Sequence, residues 1–220
     1  MEASRPGARE ADVAPAPDPT GGRLAGWTPA DPGPLGLAAF AATTFMLSMI
    51  NADLVSHTAL AGVLSMALAY GGIAQLVAGI WEFRTGNTFG AVAFCSFGAF
   101  WISFYFLVTV ALPLVPPTEA HSVIGLYLWT WGIFTTYMFF ASLRTTGAIA
   151  VVFLLLAITF IILGIGNSAL SGGTATINST VKLGGYFGIA TAIAAWYASF
   201  AAVINSTFGR VVLPVMPLRR

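Results

Sequence analysis

The sequence predicts an all-α membrane protein built as a bundle of six transmembrane helices. Of its 220 residues, 57% are hydrophobic and only 8% are charged, whereas a soluble domain carries about 25% charged residues. Apolar runs recur along the chain, and their lengths approach the roughly 20 residues that a helix needs to cross a bilayer. The formal net charge of +1 gives no reason to expect a nucleic-acid partner.

The first thirty residues differ from the rest. They hold half of the acidic residues and show no apolar periodicity, and their prolines are Pro6, Pro15, Pro17, Pro19 and Pro29. Such a segment cannot bury enough apolar surface to fold, so we predict a disordered tail over residues 1–30. It lacks the apolar stretch of a signal peptide, and we expect no cleavage. A membrane domain at 31–214 and a basic C-terminus at 215–220 follow.

The six predicted spans are residues 34–49, 58–81, 88–113, 123–143, 148–165 and 183–204. The first is short unless residues 32–37 also enter the membrane. With the N-terminus in the cytoplasm, all eight arginines fall on the cytoplasmic side and Lys182 alone lies on the other. Because basic residues collect on the cytoplasmic side, we expect a multi-pass protein of the plasma membrane with both termini in the cytoplasm.

Enzyme signatures are missing from the sequence. It contains no Gly-x-x-x-x-Gly-Lys loop, no Gly-x-Ser-x-Gly elbow and no His-Glu-x-x-His pair. One cysteine and two histidines cannot build a disulfide framework or a metal cluster. We therefore predict no catalytic residue, cofactor or metal.

The ionisable side chains of the membrane domain lie at the span ends. Asp53, His57, Glu82 and His121 all occupy such positions, whereas proton-coupled carriers usually place an ionisable group in mid-membrane. The sequence thus favours a small, weakly polar or readily protonated solute that moves along a neutral pathway. Glu82 is expected to form a helix-end ion pair with Arg84.

Two sets of side chains could form this pathway. Hydroxyls such as those of Thr43 and Thr44 most often bond within or between helices. The amide of Gln75 has four hydrogen-bonding positions, and packing and pathway lining stay open for it. In the third span, an aromatic face includes Phe97. This face either packs against lipid or a neighbour, or places one ring in a pore as a constriction.

Three motifs resemble the acetate uptake transporter family, the succinate–acetate permeases of bacteria and their fungal relatives. Residues 31–37, Asp-Pro-Gly-Pro-Leu-Gly-Leu, are similar to the family signature Asn-Pro-Ala-Pro-Leu-Gly-Leu. Tyr-Gly-Gly-Ile-Ala-Gln at 70–75, with Gly-Asn-Thr-Phe-Gly at 86–90 and Phe-Trp at 100–101, is a longer match. Residues 208–214 resemble the family's C-terminal ending. The resemblance covers residues 31–214.

The resemblance implies a six-helix protomer with a central pore, assembled as a homo-hexamer. It also implies an apolar constriction made by Phe40, Phe97 and Leu156. Two positions depart from the family pattern: Asp31 replaces an asparagine, and Phe97 stands where some relatives have tyrosine.

The resulting hypothesis is membrane transport of acetate and related short carboxylates, including succinate, in a channel-like or proton-linked manner. The residues expected to line or support the route are Thr43, Thr44, Tyr70, Gln75, Asn87 and Thr88. Between spans two and three, Gly86 should end one helix and Asn87 should cap the next. The alternatives are a membrane sensor or scaffold that binds a carboxylate without moving it, and a pore for another small solute such as ammonia.

Overall fold

The computed structural model describes residues 29–172 and 177–218. In this part of the chain, six helices are long and apolar enough to cross a membrane. They are α1 (Gly33–Asn51), α2 (His57–Thr85), α3 (Thr88–Leu114), α4 (Ala120–Ser142), α5 (Gly147–Ser168) and α6 (Ser179–Phe208). The six predicted spans are therefore confirmed. The predicted tail falls outside the described residues except for residues 29 and 30, as do the last two arginines.

Local hydrogen bonds begin and end the helices. The Asp31 carboxylate accepts from the Gly33 amide at 2.9 Å ahead of α1. Helix α2 ends where Gly86 adopts a left-handed conformation with φ of 78°, which glycine tolerates without steric cost. The Asn87 side chain then accepts from the Gly90 amide at 3.1 Å and caps α3. The predicted roles of Gly86 and Asn87 are confirmed.

Two helices contain wide, π-type turns that sequence periodicity did not predict. In α2 this segment is Ala67–Ala74, and in α3 it is Leu107–Ala111. A π-type turn holds more residues than an α-helical turn, so it rotates the side chains that follow. Within the first segment the chain is tightly packed, because a Cβ at Gly71 would lie 2.6 Å from Thr43 Oγ1 and 2.9 Å from Trp101 Cδ1.

Helix α3 contacts its two neighbours differently. Towards α2 the backbones nearly touch, since a Cβ at Gly79 would lie 2.5 Å from the Cys95 nitrogen. Towards α4 the contact is made mainly by aromatic rings: Phe100 lies 5.2 Å from Trp131 and 5.5 Å from Tyr127, centre to centre. The Tyr127 hydroxyl also donates to the Phe100 carbonyl at 2.8 Å. The space between α3 and α4 is therefore filled by side chains rather than closed by backbone.

The segment after α6 closes one end of the bundle. The Gly147 amide donates to the Met216 carbonyl at 2.7 Å, and the Leu218 amide donates to the Thr145 carbonyl at 3.0 Å. The Tyr197 hydroxyl donates to the Pro214 carbonyl at 2.6 Å. These bonds hold the segment across the turn between α4 and α5.

An ion pair joins the loop after α1 to the start of α6. Lys182 Nζ lies 2.5 Å from Asp53 Oδ2, and both side chains are partly exposed. The hydrogen bond from Lys182, and then its charge, hold the pKa of the Asp53 carboxyl below its usual value. The backbone at Asp53 has φ of 60°, a conformation that aspartate and asparagine adopt more readily than most residues.

The Asp53 pair predicts how stability depends on pH. Because the pKa of Asp53 is lower in the folded protein, the pair stabilises the fold above the unfolded-state pKa of about 3.9. That contribution is lost as the pH falls through the lower, folded-state pKa. We expect Asp53→Asn, which suits the same backbone conformation, to lose less stability than the parent protein between about pH 5 and pH 2. Unfolding in detergent micelles would measure this, and identical pH profiles would contradict it.

A second prediction concerns the contact between α2 and α3. Gly79→Ala would place a methyl group against the Cys95 backbone and force the two helices apart, so we expect a loss of about 1–3 kcal/mol in unfolding free energy. Gly62→Ala is the matched control, because its Cβ would meet only Met46 Cε, at 3.5 Å. Thermal unfolding in micelles compares the two variants. An equal loss in both would show that the close approach is not the cause.

Candidate functional site

Two cavities enter the bundle from opposite ends. The larger, about 790 Å³, lies where α1, α3 and α5 begin, and we name it the tail-side cavity. The smaller, about 310 Å³, lies where α1, α3 and α5 end, and we name it the far-side cavity. The two share no lining residue. Something therefore separates them in the middle of the bundle.

Phe97 stands at this division. Its side chain is 3% exposed and lines neither cavity. Its ring centre lies 5.6 Å from that of Phe40, which lines the far-side cavity. It lies 6.1 Å from that of Phe153, which lines the tail-side cavity. Phe97 therefore lies between the two cavities and packs against a lining residue of each.

Of the other two predicted constriction residues, Phe40 packs against this ring, and Leu156 belongs to the same buried apolar cluster. Phe40 and Leu156 are both buried and both line the far-side cavity. Phe134 packs against Phe97 from α4, with ring centres 5.4 Å apart. Sequence reasoning missed Phe134 and Phe153, since no motif marks them, and only the packing of α4 and α5 against α3 brings them here. We name the group Phe40, Phe97, Phe134, Phe153 and Leu156 the aromatic layer.

The far-side cavity has two unpartnered hydrogen-bond donors in its wall. Thr44 and Trp101 are both more than nine-tenths buried and line this cavity. Neither Thr44 Oγ1 nor Trp101 Nε1 has a hydrogen-bond partner among the described residues. A buried donor without a partner costs free energy, so a site of this kind favours a ligand or water that can accept. Thr44 was predicted as a lining residue, whereas Trp101 was noted only as part of the Phe-Trp match at 100–101.

The mouth of the far-side cavity is polar. His57, His121 and Asn167 line it, and His121 Nδ1 lies 3.1 Å from Asn167 Oδ1. The Asn167 Nδ2 atom donates to the Leu163 carbonyl at 2.9 Å. Both histidines were predicted at span ends, with no role in the pathway.

The turn between α2 and α3 lines the tail-side cavity. Asn87 and Thr88 both line it, as do Asp31 and Glu82. Glu82 is only 2% exposed, and its Oε2 atom lies 2.9 Å from the Thr85 hydroxyl. A helix-end ion pair would leave the carboxylate at the surface, so this degree of burial is unexpected.

Three predicted lining residues lie in neither cavity. Thr43 is fully buried and donates to the Ala39 carbonyl at 3.0 Å. Tyr70 belongs to the wide turn of α2. Gln75 is 1% exposed, and its Oε1 atom finds no partner in residues 29–172 and 177–218. Their predicted part in the pathway remains a prediction.

No group of three or more His, Cys, Asp or Glu residues that could hold a metal is found in the described part of the chain. The lining residues of the two cavities offer hydrogen bonding and apolar contact, with acidic side chains in the tail-side cavity and histidines in the far-side cavity.

These features define an integral membrane protein of the transporter or channel type, with two opposed cavities and an aromatic layer between them. The chain belongs to the GPR1/FUN34/yaaH family, whose sequence profile matches residues 22–220. This confirms the resemblance inferred from the motifs.

Individual relatives agree with that assignment. The chain is 42% identical over 195 residues to acetate permease A of Emericella nidulans, covering 84% of this chain and 65% of the relative. It is 41% identical over 190 residues to the succinate-acetate/proton symporter SatP of Escherichia coli K12, covering 84% and 95%. The yeast ammonia transport outward protein 2, from Saccharomyces cerevisiae, is 38% identical over 182 residues, covering 79% and 61%. The match thus spans slightly less than two thirds of the fungal proteins and nearly all of the bacterial one.

A solved structure described as the bacterial acetate channel SatP has the same fold. It superposes with a TM-score of 0.75 at 36% identity, covering 86% of this chain and 99% of that one.

The adjacent threonines of α1 give a stability prediction. Thr44→Val removes a hydroxyl that has no partner within the described residues, so we expect unchanged or higher stability. Thr43→Val removes the bond to Ala39, and we expect a loss of about 0.5–1.5 kcal/mol. Unfolding of both variants in detergent micelles makes the comparison. A larger loss for Thr44→Val would show that its hydroxyl is already satisfied.

Proposed function

We propose that this protein carries acetate and related short carboxylates, including succinate, across the membrane. The observation that carries the proposal is the pair of opposed cavities separated by Phe97. The names of the relatives in Emericella nidulans and Escherichia coli, and that of the solved SatP channel, supply the substrate class.

The cavities suit a molecule with one apolar and one charged end. The methyl group of acetate can pass the rings of Phe40 and Phe97 and the side chain of Leu156 without losing hydrogen bonds. Its carboxylate can accept hydrogen bonds from Thr44 and Trp101, which lack acceptors among the described side chains. Because burying an unpaired carboxylate is costly, these donors reduce the barrier just beside the aromatic layer. Asn87 and Thr88 would receive the substrate at the other end.

The aromatic layer contains no titratable side chain. Its members are four phenylalanines and one leucine, so a proton cannot cross this layer bound to a side chain of the layer. Any proton that accompanies the substrate would cross as part of the carboxylic acid. This supports channel-like passage, in which the neutral acid and the anion meet the same constriction.

The proposal includes the protein's setting. The distribution of arginines favours a plasma-membrane protein with both termini in the cytoplasm. The resemblance implies a homo-hexamer, and the exposed apolar residues Leu126, Ile133 and Phe140 of α4 are available to contact either lipid or a neighbouring protomer. Native mass spectrometry of the detergent-extracted protein would test the hexamer.

Ammonia passage is the second candidate, because the yeast relative at 38% identity is named for ammonia transport. The two unpartnered donors suit a carboxylate better than ammonia, whose own N–H groups need acceptors. Competition separates them: unlabelled acetate should reduce labelled acetate uptake, and ammonium at the same concentration should not.

The central test replaces Phe97. In proteoliposomes, Phe97→Ala should raise the rate of labelled acetate uptake several-fold and admit longer carboxylates such as butyrate, because the closing ring is gone. Phe106→Ala is the matched control on the same helix, as Phe106 is 51% exposed and lies outside both cavities. It should behave like the parent protein.

Two results would contradict the proposal. One is the lack of any saturable acetate flux in the parent protein, and the other is equal flux in the parent and Phe97→Ala. A carboxylate sensor or scaffold would instead bind acetate without flux, and its signalling would be lost on removal of residues 1–30.

A further inference from the structure

The two histidines of the chain line one cavity. His57 begins α2 and His121 lies in the first turn of α4, and both line the mouth of the far-side cavity. The proposed route through Phe97 gives neither of them a role. Histidine is the side chain whose charge ordinarily changes between pH 5 and pH 8.

The hydrogen bonds around His121 define its tautomer. Asn167 Nδ2 donates to the Leu163 carbonyl at 2.9 Å, which identifies the other amide atom as oxygen. That oxygen lies 3.1 Å from His121 Nδ1. An amide oxygen only accepts, so Nδ1 carries the hydrogen and Nε2 is the atom that gains a proton when the ring becomes charged. Asn167 is buried and therefore holds the ring in place in both charge states.

Other charged and titratable groups also lie near the mouth of the far-side cavity. Asp53 interacts with His57 electrostatically, but its carboxylate is paired with Lys182 at 2.5 Å. Glu119 is exposed in the turn before α4, two residues from His121. Tyr127, the remaining titratable lining residue of the cavity, stays neutral over this pH interval.

The interior of the cavity completes the site. Beyond the histidines its wall is largely aromatic and aliphatic, with residues such as Phe104, Phe160 and Leu163. Thr44 and Trp101 add the donors that have no acceptor in the described structure. A ligand that suits this arrangement has an apolar body and an anionic group able to accept hydrogen bonds.

We propose that the far-side cavity is a pH-dependent carboxylate-binding site, in which protonated His57 and His121 are the counter-charges of the bound carboxylate. This rests on the proposed function for the identity of the ligand and adds residues and a pH dependence to it. Binding of the anion takes up a proton on imidazole, so affinity rises as the pH falls through the range in which histidine titrates. Acetate stays mostly ionised down to about pH 5.5, since its pKa resembles that of a carboxylic side chain.

The first experiment detects the proton directly. The purified full chain in detergent, weakly buffered at pH 6.5, receives sodium acetate, and an indicator dye follows proton uptake. We expect net uptake by the parent protein and close to none by the double variant His57→Gln/His121→Gln. Glutamine can still donate to Asn167 but does not titrate. Sodium chloride at equal concentration corrects for ionic strength, and Glu119→Gln, which keeps both histidines, should match the parent.

The second experiment measures the apparent affinity for acetate in the absence of acetate and pH gradients. Proteoliposomes contain the same acetate concentration and the same pH inside and outside, and the exchange of labelled acetate across the membrane is followed. Vesicles without protein correct for diffusion of the free acid. Between pH 7.5 and pH 5.5 we expect the half-saturating concentration of the parent to fall about three- to tenfold, the range of a partly exposed charge pair. The double variant should show no such fall.

The outcomes separate the two proposals. Proton uptake that requires the histidines, with no saturable exchange at any pH, would retain the binding site and reject the transport function. Saturable exchange whose pH dependence is the same in the parent and the double variant would reject the histidine site and retain transport. Proton uptake that persists undiminished in the double variant would likewise overturn the inference.

Discussion

The packing of Phe97 between Phe40 and Phe153 is the contact on which the interior of this protein depends. It is possible because helix α3 is pressed against α2 on one side, where Gly79 meets the Cys95 backbone, and is spaced from α4 by aromatic rings on the other. The first contact fixes the position of α3. The contact of α3 with α4 leaves a volume that side chains fill only partly. Phe97 lies between the two cavities in that volume.

The two cavities are chemically unlike. The tail-side cavity is wide and includes the carboxylates of Asp31 and Glu82 among the capping groups of its turn. The far-side cavity is less than half as large, mostly apolar, and contains the unpartnered donors together with both histidines. An anion therefore meets an electrostatically unfavourable approach on one side and hydrogen-bond donors on the other. This asymmetry supports the proposed binding of the carboxylate next to the aromatic layer on the far side.

Local signals in the sequence predicted the six spans, the left-handed Gly86 and the cap at Asn87, because each depends on residues close in the chain. The motifs led to Phe40, Phe97 and Leu156, which the fold brings together. Thr43 and Thr44 looked alike in sequence, yet one bonds to Ala39 and the other faces the cavity. Successive residues of an α-helix point about 100° apart, so the two threonines face different directions. Which of these directions meets the cavity depends on the helices that pack against α1. The wide turns of α2 and α3, and the presence of His57 and His121 in the wall of one cavity, also depend on contacts between distant segments.

The aromatic layer also bears on the proton gradient across the membrane. Water-filled passages conduct protons by relay along a hydrogen-bonded file, and such leakage would discharge the gradient that drives synthesis of ATP. Phe97 is 3% exposed and offers no hydroxyl to continue the file, whereas a tyrosine at this position would supply one. On the proposed route, the aromatic layer therefore offers a file of water no hydrogen-bonding side chain of its own between the two cavities.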